Sequence, residues 1–151
     1  MTKKKETKKK ETEPKNELIR NNVLEGTTYK IKTPDSEHAM YITINNVIVD
    51  EGKETETVKP FEIFINSKNM EHFMWVVALT RVISLNFRHY SETSLEDLIQ
   101  ELSSVFDPRG GYFKKGGHYT PSLVAEIGEV IKTHMISIGA VNEDAVSSPQ
   151  K

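Results

Sequence analysis

The strongest constraint in this chain is a change of apolar period part-way along it. Up to about Ile65 apolar side chains recur at every second position, and from Met70 onward they recur at steps of three and four. A period of two lays one face of a strand on a core, and a period of 3.6 does the same for a helix. Strands therefore come first and helices after. Tyr29 and Ile31 alternate with Lys30 and Lys32, and Met40, Ile42 and Ile44 alternate with Tyr41, Thr43 and Asn45. Between the two runs, Pro34-Asp35-Ser36 is turn chemistry: proline fixes φ, and the Asp and Ser side chains bond nearby amides. A hairpin is predicted. Asn45-Asn46 breaks the alternation before Val47-Ile48-Val49 restarts it, which predicts a bulge or bend. Glu51 to Lys59 is polar and reads as a loop, after which Pro60 opens a third strand over Phe61 to Ile65.

The first helix is predicted from about Met70 to Phe87, with Ser67 or Asn69 as its cap. Its apolar positions are Phe73, Met74, Trp75, Val76, Val77, Leu79, Val82, Ile83, Leu85 and Phe87. That stripe is too wide for a helix with one wet side, so this helix is expected to be central to the fold and to show a second face to a partner. The second helix takes Thr93 or Ser94 as cap, with Glu96 and Asp97 suiting its first turn. Leu95, Leu98, Ile99, Leu102, Val105 and Phe106 share its inner face. Thr120-Pro121 is expected to open a third helix as cap and first position. Leu123, Val124, Ile127, Val130, Ile131, Met135 and Ile138 form its inner face, and Gly139 is its stop. The expected architecture is α+β, a small antiparallel sheet of about three strands followed by three helices packed on one face.

The ends differ in composition from this body. Residues 1–16 carry seven lysines against three glutamates, and two near-copies of Lys-Lys-Lys-Glu-Thr open the chain. Such a segment buries too little apolar surface to offset its ordering entropy. The expected organisation is a lysine-rich disordered tail over 1–22, a folded domain over 23–138 and a flexible tail over 139–151. The net charge of −2 then splits into +4 in residues 1–16 and −6 in the remainder. An acidic body argues against nucleic acid as its main ligand. No run approaches the roughly 20 apolar residues of a membrane helix, and no apolar segment follows the first lysines as in a secretory signal. A cytoplasmic location is expected.

The chain has no cysteine, which removes thiol chemistry, disulfides and zinc–thiolate sites. His38, His72, His89, His118 and His134 are scattered without metal-ligand spacing, and no serine sits in a Gly-x-Ser-x-Gly elbow. No catalytic or metal-ligating set is expected. The most unusual stretch is Asp107-Pro108-Arg109-Gly110-Gly111-Tyr112-Phe113-Lys114-Lys115-Gly116-Gly117-His118-Tyr119. Its glycines permit positive φ and close approach of backbone to a ligand, and Arg109, Lys114 and Lys115 would meet a phosphate or carboxylate. It lacks the Gly-Lys-Ser/Thr of a phosphate-binding loop. Two readings stand: a loop tucked against the fold by Tyr112 and Phe113, or a partner or anion contact surface using Arg109, Gly110, Gly111, Tyr112, Lys114, Lys115, Gly116, Gly117 and His118. Arg81 lies within the apolar stripe of the first helix, where an unpaired charge is costly, so a pairing with Glu62 across the sheet–helix layer is expected.

Three segments carry a family resemblance: Tyr29 to Asn45, Pro60 to Ser84 and Phe106 to Ile131. The Pro-Phe-Glu-x-Phe-Ile strand at Pro60 to Ile65, followed by the Leu-x-Arg-x-Ile-Ser run at Leu79 to Ser84, is its general feature. Together they resemble the TSCPD-type domain near the C-terminus of adenosylcobalamin-dependent (class II) ribonucleotide reductases. The third segment resembles split enzymes, in which this part is a small separate chain. The likeness spans about Val23 to Ile136. It implies an accessory, non-catalytic component of a ribonucleoside-diphosphate reductase, docked to a large catalytic chain and serving deoxyribonucleotide synthesis for DNA replication. It also implies adenosylcobalamin for the complex. That chemistry runs through cysteine radicals and dithiols, so every redox step would belong to the partner. Self-association is a further possibility. The alternative is a nucleic-acid or nucleotide binding module using the basic tail and the 107–119 loop, although that 13-residue spacer is too long for a helix-turn-helix.

Overall fold

Alternation in the first part of the chain produces an antiparallel sheet of three strands, β1 (Glu25–Ile31), β2 (Met40–Val49) and β3 (Thr57–Ser67), in that spatial order. The structure is a computed structural model and describes residues 18–34, 36–89 and 92–146. Most of the expected lysine-rich tail, the turn residue Asp35 and residues 147–151 lie outside the described residues. Among the described residues four helices follow, α1 (Phe73–Arg88), α2 (Glu92–Ser103), α3 (Leu123–Ser137) and the single turn α4 (Glu143–Val146). A two-stranded hairpin, β4 (Tyr112–Phe113) with β5 (Tyr119–Thr120), separates α2 from α3. The fold is α+β as expected, with one more helix than the period alone predicts.

The core forms where the two periods meet. Ile31, Ile42, Ile44 and Ile63 of the sheet pack with Ile83 and Phe87 of α1, Leu95, Ile99 and Leu102 of α2, and Ile127, Ile131 and Met135 of α3. Each fully buried side chain of this size contributes about 1.5–3 kcal/mol, which makes this cluster the main tie between sheet and helices. The expected bulge is present: the β2–β3 register shifts between Asn45 and Asn46. The extra residue is Phe61 of β3, skipped where Asn45 pairs with Glu62 and Asn46 with Pro60. β2 keeps its alternation, so Asn46 faces the helices with Ile42 and Ile44 and reaches His134.

The buried imidazole of α3 has both ring nitrogens partnered. The His134 ring on α3 is buried, with Nδ1 2.9 Å from the Tyr29 hydroxyl and Nε2 2.8 Å from Asn46 Oδ1. An amide oxygen can only accept, so Nε2 carries the proton and Nδ1 accepts from Tyr29. Burial lowers the His134 pKa from its ordinary value and favours this neutral form. At the α2–α3 contact, a Cβ on Gly128 would lie 2.9 Å from Ser103 Oγ and 3.0 Å from Ser103 N. A side chain there would push the two helices apart.

Several boundaries differ from the expectations for identifiable reasons. β2 is continuous through the bulge, and β3 extends beyond Phe61–Ile65 at both ends. Ser67 and Asn69 do not cap α1; they accept from the amides of Asn69 and Glu71, and His72 holds the cap position at φ 61° without a side-chain bond. α2 begins at Glu92, which puts Thr93 and Ser94 inside its first turn. It ends at Ser103, leaving Val105 and Phe106 exposed rather than on its inner face. Thr120 is taken by β5, so the cap of α3 falls to Ser122, whose hydroxyl accepts from Ala125 N at 3.0 Å. Gly139 ends α3 at φ 73°, as expected. Val141 is buried beyond it, so the folded unit continues past residue 138.

Candidate functional site

β3 is an edge strand, and an edge left bare exposes unpaired backbone groups. Here α1 covers it. The Ser84 hydroxyl accepts from Ile63 N–H at 3.1 Å and lies 3.4 Å from the Ile63 carbonyl, to which it donates. A serine in the middle of an apolar helix thereby replaces a missing strand partner. Thr80, Ile83, Ser84 and Phe87 form the buried side of α1. Its opposite side is bare: Met74 is 70% exposed, Trp75 69%, Val82 64% and Leu85 50%. The sequence expectation of a second apolar face is met by these residues. The expectation of a central helix is not, because α1 lies at the sheet edge.

The bare face continues across Phe73 onto the outer side of the sheet, where Tyr41 and Phe64 are also exposed. Three cavities meet at Phe73. One of about 180 Å³ lies among Ile31, Met40, Ile65, Val76 and Leu123, with His38, Glu71 and His72 at its rim. Another of about 420 Å³ runs between Phe64 and Val77 and is bordered by Glu62, Arg81 and Arg88. The third, about 500 Å³, lies by Tyr41, Asn66 and Lys68. Sites for drug-sized ligands run to about 300–1,000 Å³, and a corrinoid is larger than such ligands. None of the three cavities is large enough to enclose one. Among the described residues no group of three or more His, Asp or Glu side chains could hold a metal ion.

Glu62 does not pair with Arg81. Arg20 holds it with two bonds, Nε to Oε2 at 3.1 Å and Nη2 to Oε1 at 2.9 Å, and Asn45 Nδ2 donates to Oε1 at 3.0 Å. Burial would raise the Glu62 pKa; the bonds from Arg20 and Asn45 and the charges of Arg20 and Arg88 outweigh it and hold the carboxyl below its ordinary value. Gly26 makes room for Asn45, since a Cβ there would lie 2.2 Å from Asn45 Oδ1. Arg81 instead points outward and is exposed, which removes the burial cost that suggested a partner. Arg20 falls inside the span expected to be a tail. One arginine in a polar, low-complexity stretch gave no signal of this role.

The loop candidates take up a hairpin rather than an irregular loop. Tyr112 pairs with Thr120 and Phe113 with Tyr119, and Lys114 N donates to His118 O at 2.8 Å. Gly116 and Gly117, at φ 92° and 83°, make the turn, and Gly110 also has positive φ at 100°. Gly111 serves close approach to the protein itself: a Cβ would lie 2.1 Å from Thr120 O. The Tyr112 hydroxyl donates to the buried Glu126 carboxylate on α3, and burial followed by that bond raises the Tyr112 pKa. Phe113 does not tuck in; it stands 67% exposed beside the Tyr119 ring. Arg109 is occupied by Asp107, whose carboxylate is 3.4 Å from Nη2. Lys115 and His118 are exposed at the hairpin tip.

The TSCPD domain family model matches residues 7–135. No curated protein and no solved structure matches the chain. The matched span contains the sheet, α1, α2, the hairpin and nearly all of α3, and with that coverage the chain belongs to the TSCPD domain family, a domain found in class II ribonucleotide reductases.

Proposed function

We propose that this chain is an accessory, non-catalytic component of an adenosylcobalamin-dependent ribonucleoside-diphosphate reductase and acts by docking to the large catalytic chain. The observation that carries the reading is the bare apolar side of α1, which the other described residues leave exposed. Contiguous exposed apolar surface of this kind marks interaction sites in soluble proteins. Family membership supplies the reductase context, and the absence of cysteine assigns radical and dithiol chemistry to the other polypeptide. Adenosylcobalamin would belong to the complex, held by the catalytic chain.

Co-expression with a class II reductase catalytic chain from the same source tests this. The expected result is co-elution of the two chains and deoxyribonucleotide synthesis that falls when this chain is withheld. A catalytic chain that is fully active alone and never binds this one overturns the reading.

A further inference from the structure

We infer that the outer side of α1 is a docking seam for one α-helix of the partner chain, a helix with apolar seam residues and carboxylates beside them. The inference rests on the docking reading and specifies what docks. Trp75, Ala78, Val82 and Leu85 succeed one another at steps of three, four and three on the exposed side. That is the spacing at which side chains of a facing helix interleave. Ala78 is the small residue between two large ones, and it leaves a hole for a partner side chain between Trp75 and Val82. At about 1.5 Å per residue the seam is about 15 Å long.

Charge selects the occupant. α1 has two acid-free turns on either side of Arg81 and ends at Arg88; from Phe73 to Arg88 it holds these two arginines and no carboxylate. They are seven positions apart, so both stand on the same flank of the seam; Arg81 is exposed, and Arg88 is half-buried with its guanidinium 5.9 Å from the Phe61 ring centroid. The nearby Glu62 carboxylate is already held by Arg20. A helix with Glu or Asp repeated at seven residues would face both arginines, whereas a second copy of α1 would bring only like charge.

Trp75 is the single tryptophan of the chain, so its emission reports directly on the seam. The probes are two synthetic three-heptad helices with leucine and isoleucine at the seam, one flanked by glutamate and the other by lysine. With the full chain, the glutamate peptide is expected to blue-shift Trp75 saturably and to bind at least about tenfold more tightly than the lysine peptide. Arg81→Glu should narrow that preference, Arg81→Glu with Arg88→Glu should reverse it, and Val82→Glu should abolish binding of both. Arg81 and Val82 are exposed and Arg88 is half-buried, and far-ultraviolet circular dichroism verifies that each variant is folded. Equal affinities, no shift, or an unchanged preference in the arginine variants overturns the inference. So does a shift produced only by phosphatidylglycerol vesicles, or a concentration-dependent shift of the chain alone that Val82→Glu removes. A catalytic chain that co-elutes equally with wild type and Val82→Glu overturns the seam and leaves docking intact; peptide selectivity without any reductase complex does the reverse.

Discussion

Ser84 binds both backbone groups of Ile63, accepting from its N–H at 3.1 Å and donating to its carbonyl at 3.4 Å. The contact joins the two halves of the fold, because Ile63 lies on the edge strand and Ser84 on the helix that covers it. Removing the hydroxyl strands a buried N–H and weakens the attachment of α1. Ser84→Ala is expected to cost about 1–3 kcal/mol, measured as a lower urea midpoint with an unchanged slope. A variant as stable as wild type would show that water reaches Ile63 and that the contact is dispensable.

His134 makes stability depend on acid in a definite direction. Its folded pKa is lowered by burial from the ordinary 6.5, so in the window below that value the unfolded chain binds more protons than the folded one. The neutral form, accepting from Tyr29 and donating to Asn46, is fully present above about pH 6.5 and is lost as pH falls toward the folded value. The slope attributable to this one group approaches about 1.4 kcal/mol per pH unit. The melting temperatures of wild type and His134→Gln, followed from pH 7.5 to 5, should converge as pH falls. A constant difference across the range would remove His134 from the acid response.

The order of strands and helices was legible because period two and period 3.6 separate cleanly around Asn66, and the Asn45-Asn46 interruption marked the bulge. What escaped depends on contacts distant in sequence. Nothing local to Ser122 distinguishes it from Thr120 as a cap; the pairing of Thr120 with Tyr112 decides it. The second diglycine reads equally as a ligand cradle or a turn until Lys114 and His118 are seen to pair. The apolar stripe of α1 was legible as too wide, but the division between Ile83 and Phe87 inside and Trp75 and Val82 outside requires knowing that β3 is an edge. A polar residue such as Ser84 within that stripe was the one local signal of the contact it makes.

The Glu62 pairing separates two arginines that sequence reasoning could not. Arg20 donates twice to the Glu62 carboxylate, whereas Arg81 is exposed. Arg20→Ala should therefore destabilise the fold and raise the pH at which acid unfolds it, since Glu62 would lose the partner that lowers its pKa. The sign follows from the depressed folded value: the stabilisation exists above the ordinary carboxyl pKa and disappears as pH falls through the folded one. Arg81→Ala should leave both properties unchanged. A double-mutant cycle of Arg20→Ala with Glu62→Gln should show coupling, and a cycle of Arg81→Ala with Glu62→Gln should show none; the opposite pattern would restore the pairing expected from sequence.

Gly128 sets how closely α2 and α3 approach. A Cβ there would meet the Ser103 hydroxyl at 2.9 Å, and also Leu102 Cβ and the Ser103 backbone nitrogen at 3.0 Å. Alanine is the better helix former by about 1 kcal/mol, so propensity and packing make opposite predictions for Gly128→Ala. The hydroxyl can rotate away, but the backbone nitrogen and the Leu102 Cβ move only if the helices separate, and Leu102 belongs to the core that holds them. Overpacking of this kind costs about 1–3 kcal/mol, which exceeds the propensity gain or cancels it. Gly128→Ala is expected to lower the melting temperature, and Gly128→Ala with Ser103→Gly to recover only part of the loss because Leu102 remains. A single variant more stable than wild type would mean that α2 and α3 adjust their separation freely, and the close contact would not be what positions them.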